Sequence, residues 1–165
     1  MSDTDARAAS PVRIRHFSRS LPMSLLRARE AVMRHFRPAL RRHGMTEQQW
    51  RVLRALMTRP GMEVSELAEA TFLLGPSVSR ILRDLEGLDL ITRRQDKADQ
   101  RRSIIALSPR GEELNERVSP QSEAIYAEIT RRFGAQKLAE LQAMLRELES
   151  VLSEGPAIEG VETRD

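Results

Sequence analysis

Arginine and serine side chains recur between Gly75 and Asp89 at a spacing that would let them contact nucleic acid from one side of a helix. Projected at about 100° per residue, this stretch turns four apolar positions to one side of a helix, namely Val78, Ile81, Leu82 and Leu85. The other side carries Pro76, Ser79, Arg80, Arg83 and Gly87. Arginine can fork onto guanine edges or phosphates, and a short hydroxyl can reach a phosphate. The pattern predicts a recognition helix; the alternative is an ordinary solvated face, because Asp84, Glu86 and Asp89 would repel phosphate.

A second basic group follows this helix. Residues 90–94 and 103–107 have strand-like character and flank a polar stretch, which predicts a hairpin with a charged tip. Between Arg93 and Arg102 lie five basic and two acidic residues, and arginines on such a wing can enter a minor groove. A solvated charged hairpin is the alternative. The predicted DNA contacts are Ser65, Pro76, Ser77, Ser79, Arg80, Arg83, Lys97, Arg101 and Arg102, with Asp99 shaping the wing by pairing with Arg101.

Helix signals place these residues within a winged helix-turn-helix. Ser20 and Pro22 begin a first helix that Gly44 ends, and Thr46 with Gln49 forms a capping box for the second. Ser65 is the predicted cap of a third, short helix, and the Gly75–Pro76 pair separates it from the recognition helix. Two short helices joined by a turn and followed directly by a hairpin predict a mainly α fold with a small β-hairpin wing, in the α+β class.

The C-terminal helices carry a packing stripe. Ser108 and Pro109 begin a helix, and after Gly134 the leucines step by three and four residues, as in the a and d positions of a heptad. The first helix adds apolar positions of its own. We expect a homodimer interface that includes Leu21, Leu25, Leu138, Leu141, Leu145 and Leu148. A seam within one chain is the alternative.

Composition narrows the functional classes. The 165 residues have a net charge of +3, but residues 1–59 carry 13 arginines and 4 acidic residues, whereas residues 111–165 carry 6 basic and 12 acidic ones. A basic front half could meet a polyanion. The chain has no cysteine, which excludes disulfides, thiol chemistry and zinc fingers. It also has no spanning apolar run and no signal-peptide core, so we expect a cytoplasmic protein without membrane contact, cofactor or structural metal.

Several runs resemble the MarR family of winged-helix regulators. They are GMTEQQWRVLRAL (44–56), VSELAEAT (64–71), PSVSRILRDLE (76–86), DKADQRRS (96–103) and LSPRGEEL (107–114), which together with the first helix follow the family's order. The stretch 20–50 is similar to the subgroup that represses homoprotocatechuate (4-hydroxyphenylacetate) degradation genes. The resemblance implies a homodimer that reads a pseudo-palindrome in double-stranded DNA and is released by a small aromatic acid. Oxidant-sensing members use a cysteine, which this chain lacks.

Such an effector needs a cation for its carboxylate, polar partners for its hydroxyls and an apolar slot for its ring. Candidates near the junction of the first two helices are Arg15, His16, Arg19, Ser20, Ser24, Arg29, His43, Trp50 and Arg54. Trp50 could instead be a core residue, and His43 a cation at the end of the first helix. The sequence does not choose among them.

The resulting organisation is a flexible arm (1–19), a dimerisation region (20–44 and 109–154), a DNA-binding domain (45–108) and a disordered tail (155–165). The expected function is a ligand-responsive repressor of aromatic-acid catabolic genes. An architectural DNA-binding protein of low specificity and a winged helix used only for protein contacts are the alternatives. An enzyme is not expected, because the sequence has no phosphate-binding glycine loop, nucleophile elbow or metal cluster.

Overall fold

The computed structural model describes Phe17, residues 20–95 and residues 102–154. The predicted arm, the C-terminal tail and the tip of the wing lie outside these described residues. The elements in chain order are α1 (Leu21–Arg42), α2 (Glu47–Thr58), β1 (Met62–Glu63), α3 (Val64–Thr71), α4 (Gly75–Gly87), β2 (Ile91–Gln95), β3 (Ser103–Leu107), α5 (Pro109–Phe133) and α6 (Ala135–Glu154). The predicted winged helix with flanking helices is confirmed.

The first two helices begin where the sequence predicted. Ser20 is the residue before α1, although its hydroxyl donates to the Phe17 carbonyl (2.9 Å) and does not cap the helix. Gly44 has a φ of +69°, a left-handed conformation that glycine adopts without steric cost, and it reverses the chain into α2. The capping box is present: Thr46 Oγ1 accepts from the Gln49 amide (3.2 Å), and Gln49 Oε1 accepts from the Thr46 amide (3.0 Å).

The prediction that Ser65 caps the third helix is wrong. Helix α3 begins at Val64 with Glu63 as its N-cap, and Ser65 lies exposed in its first turn. The Glu63 amide donates to Glu66 Oε2 (2.8 Å). Glu63 and Glu66 therefore form the start of the helix that was expected at Ser65. The position is shifted because β1 brings Met62 and Glu63 into the sheet immediately before the helix.

The wing sheet has three antiparallel strands in the order β1–β3–β2. Ile91 pairs with Leu107 and Gln95 pairs with Ser103. Strand β2 therefore begins and ends one residue later than the predicted range 90–94. Strand β1 was not predicted, because two residues are too few for an alternating pattern. It pairs Met62 with Ile105 and thereby joins the wing to the start of α3.

The core lies beneath α4. The four side chains that the helical projection turned inward are buried, which confirms their predicted direction. They pack with residues of α2, α3, the wing sheet and α5 in a single cluster that includes Leu53, Leu56, Leu67, Ile105, Leu114 and Val118. Trp50 is 8% exposed and belongs to the same cluster. The position of α4 is therefore fixed by packing on every neighbouring element.

Helices α5 and α6 extend beyond this core. Ser108 Oγ accepts from the Gly111 amide (3.0 Å) to cap α5, as predicted, and Gly134 (φ +96°) separates α5 from α6. No residue of α6 is buried. Leu138 and Leu148 are half-buried, whereas Leu141 and Leu145 are 38% and 40% exposed. The single chain therefore does not bury the leucine stripe of α6.

Replacing Gly111 tests how closely α5 packs on the chain entering the wing. A Cβ on Gly111 would lie 2.1 Å from the Leu90 carbonyl oxygen, whereas a Cβ on Gly87 would meet nothing within 4 Å. We expect Gly111→Ala to lower the free energy of unfolding by about 1–3 kcal/mol, and Gly87→Ala to leave it unchanged or slightly raised. Chemical denaturation followed by circular dichroism measures both. Equal stability of the two variants would contradict this packing.

Candidate nucleic-acid interface and adjoining cavity

The outer surface of α4 presents the side chains that the sequence predicted would face DNA. Pro76, Ser79, Arg80, Arg83 and Gly87 are exposed. Of the other two serines in the predicted set, Ser77 is half-buried and Ser65 is exposed at the start of α3. The helix has no acidic residue in its first turn and no side-chain cap at Leu74, so its N-terminus favours an anion.

Arg80 and Arg83 hold no ion pair or hydrogen bond within the described part of the chain. Eight other described arginines pair with carboxylates, whereas Arg80 and Arg83 leave their guanidinium groups available at the exposed surface of α4. Asp84 is exposed beside them but does not bind either one. Two unengaged arginine forks one turn apart suit contact with phosphates or guanine edges.

Ion pairs tie the wing to the helix-turn-helix. Arg93 on β2 donates from Nε to Glu86 Oε1 on α4 (3.0 Å). Arg102, which comes directly before β3, binds Glu63 at the start of α3, and half of its side chain is exposed. Lys97, Asp99 and Arg101 lie outside the described residues, so their predicted roles at the tip stay predictions. The wing is thus held at its base while Arg102 faces solvent.

The contacts at the wing base favour the ionised form of one carboxylate, that of Glu66. The Glu63 amide and then Arg59 donate to the Glu66 carboxylate, which lowers the pKa of Glu66. Arg102 adds a smaller electrostatic effect in the same direction. The first turn of α3 therefore carries stable negative charge, which favours a cation such as Arg102 at this position.

A cavity of about 390 Å³ lies between α1, α2, α5 and the end of α3. Its walls are formed by Arg29, Val32, Met33, Phe36, Glu47, Trp50, Arg51, Arg54, Ala70, Thr71, Phe72 and Tyr126. The rings of Phe36 and Tyr126 pack at 4.9 Å between centroids with a tilt of 56°. Aromatic and aliphatic walls with three arginines provide an apolar slot beside positive charge, which suits a planar ring bearing an acid group.

Glu47 organises the charge in this cavity. Its carboxylate accepts from Arg37 (3.1 Å) and Arg51 (3.0 Å) and also pairs with Arg29. Arg37 also binds Glu30, which lowers the pKa of Glu30, with a further contribution from Arg29. Arg54 is half-buried in the cavity wall and has no hydrogen bond or ion pair within the described residues. Arg54 is therefore the arginine of this cavity that is ready to bind an incoming carboxylate.

The cavity brings together some of the predicted effector residues. Arg29, Trp50 and Arg54 line it, whereas Ser20, Ser24 and His43 do not. Outside the described residues lie Arg15, His16 and Arg19. His43 follows α1, and its Nε2 is buried without a hydrogen-bond partner among the residues that the structure describes.

Sequence reasoning missed Glu47, Arg51, Phe36 and Tyr126 as cavity residues. No local pattern pairs α1 with α5, so the two aromatic rings could not be placed together. The i, i+4 spacing of Glu47 and Arg51 was a usable signal for their ion pair.

Neither a metal cluster nor a membrane-spanning helix is found in the part of the chain that the structure describes. Those residues contain no group of three or more His, Asp or Glu side chains placed to hold a metal ion. None of the described helices is long and apolar enough to cross a bilayer.

Comparison with known proteins identifies relatives that span most of the chain. The profile of the MarR family matches residues 43–102. The chain is 41% identical to the homoprotocatechuate degradative operon repressor of Escherichia coli over 78% of this chain and 86% of that protein. It is similar to the crystal structure of NadR in complex with 4-hydroxyphenylacetate (31% identity, TM-score 0.75, 82% of this chain and 98% of NadR). It is also similar to the repressor CouR bound to a 23-mer DNA duplex (26% identity, TM-score 0.74, 85% of this chain and 99% of CouR).

Proposed function

The chain belongs to the MarR family of DNA-binding transcriptional regulators, and we propose that it is a homodimeric repressor released from a pseudo-palindromic operator by a small aromatic carboxylate. The family consists of regulators and not of enzymes, as the sequence predicted. The observation that carries the proposal is the pairing of an unengaged arginine face on α4 with an arginine-bearing aromatic cavity beside the same helix-turn-helix.

The DNA-binding unit spans residues 45–108. Helix α4 enters a major groove, with Arg80 and Arg83 contacting bases or phosphates and the small residues Ser77 and Ser79 allowing close approach. The wing residues Lys97, Arg101 and Arg102 contact the adjacent minor groove, and Asp99 holds the loop. CouR, a relative at 26% identity, has been solved on a DNA duplex, which supports this use of the fold.

Removing a guanidinium from α4 tests the DNA interface. We expect Arg80→Ala and Arg83→Ala each to weaken binding to a duplex selected from a random pool by about fivefold or more, because one arginine contact with a base is worth about 1–3 kcal/mol. Fluorescence anisotropy at fixed salt measures this effect. Arg146→Ala, which removes the same charge from the exposed surface of α6, is the matched control and retains wild-type affinity.

A shuffled duplex distinguishes this proposal from the architectural alternative. A specific repressor binds the selected duplex far more tightly than the shuffled one, whereas an architectural protein binds both alike with a steep salt dependence. Equal affinity for the two duplexes, or no effect of Arg80→Ala, would contradict the proposed interface.

Helices α1, α5 and α6 form the dimerisation region, residues 20–44 and 109–154. The support is an apolar surface that one chain leaves uncovered: Leu21 and Leu25 on α1 are 48% and 40% exposed, and the Leu141 and Leu145 side chains on α6 are similarly open. Large apolar side chains left exposed on these helices favour a protein interface. The two-fold symmetry of such a dimer places two α4 helices one turn of DNA apart.

Sedimentation equilibrium tests the dimer. We expect the full chain to have twice its 18.8 kDa mass, and Leu145→Asp to shift it toward the single-chain mass because a charge would enter the apolar interface. Leu88→Asp, an exposed leucine outside this region, is the control and leaves the mass doubled. A single-chain mass for the wild type at all concentrations would contradict the proposal.

The cavity beside Trp50 is the effector site. Its ring slot and arginines fit an aromatic carboxylate, and NadR, at 31% identity, has been solved with 4-hydroxyphenylacetate. The relative from Escherichia coli is named for the homoprotocatechuate operon, which supports the same chemical class. Arg54 binds the carboxylate, and Trp50 and Phe36 contact the ring.

Trp50 is the only tryptophan and reports directly on this cavity. We expect 4-hydroxyphenylacetate to change Trp50 fluorescence saturably when excitation is at the red edge, where the phenol does not absorb. Arg54→Ala should raise the Kd about tenfold or more, because a hydrogen bond to a charged group contributes about 1.5–3 kcal/mol. Arg146→Ala should leave the Kd unchanged. An unaltered Kd in Arg54→Ala would remove Arg54 from the site.

A further inference from the structure

Arg51 occupies the wall between the effector cavity and the turn that leads into α4. We propose that Arg51 is the positioning residue through which a carboxylate bound in the cavity changes the setting of α4. This inference rests on the proposed effector site and adds to it the route by which occupancy reaches the DNA-binding surface.

Arg51 makes two contacts with different kinds of acceptor. Its Nη2 donates to Glu47 Oε1 (3.0 Å), one helical turn away on α2. Its Nη1 donates to the backbone carbonyl of Thr71 (3.0 Å), twenty residues further along the chain. A single planar guanidinium therefore links the charged network around Glu47 to the end of α3.

Thr71 stands at the start of the turn between α3 and α4. It is 1% exposed and is the last residue of α3, and Phe72 after it is held in the left-handed conformation (φ 52°). Helix α4 begins at Gly75. The last carbonyls of a helix lack partners within it, and a cation there is stabilising. Arg51 supplies that cation, so it braces the turn of the helix-turn-helix.

A second cavity of about 470 Å³ lies on the other side of this brace. It shares Arg29, Glu47 and Arg51 with the effector cavity, and α4 contributes Arg80, Ile81 and Asp84 to its wall. The same three charged side chains thus face both the proposed effector and the recognition helix. Arg80 is both a predicted DNA contact and a wall residue of this second cavity.

A bound carboxylate competes with the Thr71 carbonyl for Arg51. The bond from Arg51 to the Thr71 carbonyl has one charged partner, whereas a bond from Arg51 to a carboxylate has two and can be bidentate, so the carboxylate is the stronger acceptor. Arg51 remains paired with Glu47, whose carboxylate is the stronger acceptor, and gives up the Thr71 carbonyl. The turn then loses its brace, and α4 leaves the position that fits two successive major grooves. The effector acts only through its differential affinity for these two arrangements.

The ratio of the Kd for DNA with and without saturating 4-hydroxyphenylacetate tests this role, with saturation established for each variant by Trp50 fluorescence. We expect a ratio of about ten or more in the wild type, within the usual range of coupling, and less than about threefold in Arg51→Gln. Arg146→Gln is the matched control: it removes the same charge from the exposed surface of α6, lines neither cavity and keeps the wild-type ratio.

Arg51→Lys keeps the charge and guards against a folding defect in Arg51→Gln. A lysine ammonium lacks the planar fork that spans Glu47 and Thr71, so this variant should also couple less than about threefold while unfolding as the wild type does. In the wild type, the acid should speed hydrogen exchange of the amides at 72–74, and in Arg51→Lys it should not.

The wild-type ratio in folded Arg51→Gln and Arg51→Lys would overturn the proposal. A wild type that binds DNA selectively but shows neither a Trp50 response nor release by the acid would instead overturn the effector site itself, and this inference with it. The two failures are distinguished by whether the wild type responds.

Discussion

A single carboxylate, that of Glu47, joins the parts of this protein that must act together. It is 17% exposed and accepts from arginines on α1 and α2. One of them, Arg51, also donates to the Thr71 carbonyl at the end of α3. A carboxylate taken out of water needs cations and donors around it. The arginines that pair with Glu47 hold three helices around one cavity. The same arginines can bind either the Glu47 carboxylate or the carboxylate of an incoming effector.

Helix α4 is held mainly by apolar packing. Its inner side chains are buried in the core cluster. The orientation of α4 is therefore set by the elements it packs against, including the end of α3 and the base of the wing. Its outer arginines are unengaged, while Arg93 and Arg102 bind carboxylates that attach the wing to α4 and α3. The inner side of α4 is held by packing and its outer side carries available arginines. The fit of α4 to DNA therefore depends on small movements of the end of α3 and of the wing base.

Local signals in the sequence predicted what local physics controls. The periodicity of Val78, Ile81, Leu82 and Leu85 gave the orientation of α4, and Thr46 with Gln49 gave the start of α2. Contacts between distant segments had no such signal: β1 pairs across more than forty residues, which displaced the expected cap at Ser65, and Phe36 meets Tyr126 only because α1 lies on α5. Arg29, Trp50 and Arg54 were effector candidates from the sequence and line one cavity, whereas Glu47 and Arg51 were not predicted there; an effector role for any of them stays a prediction.

Release of DNA by an aromatic acid tests the central claim most directly. A labelled duplex selected for binding is held by the wild-type protein at fixed salt, and its anisotropy is followed as 4-hydroxyphenylacetate or its uncharged amide is added. The account predicts that the acid weakens binding about tenfold or more, within the usual range of coupling, whereas the amide, which lacks the negative charge that attracts Arg51 and Arg54, has little effect. Retention of DNA at acid concentrations that saturate Trp50, or equal release by the amide, would contradict it.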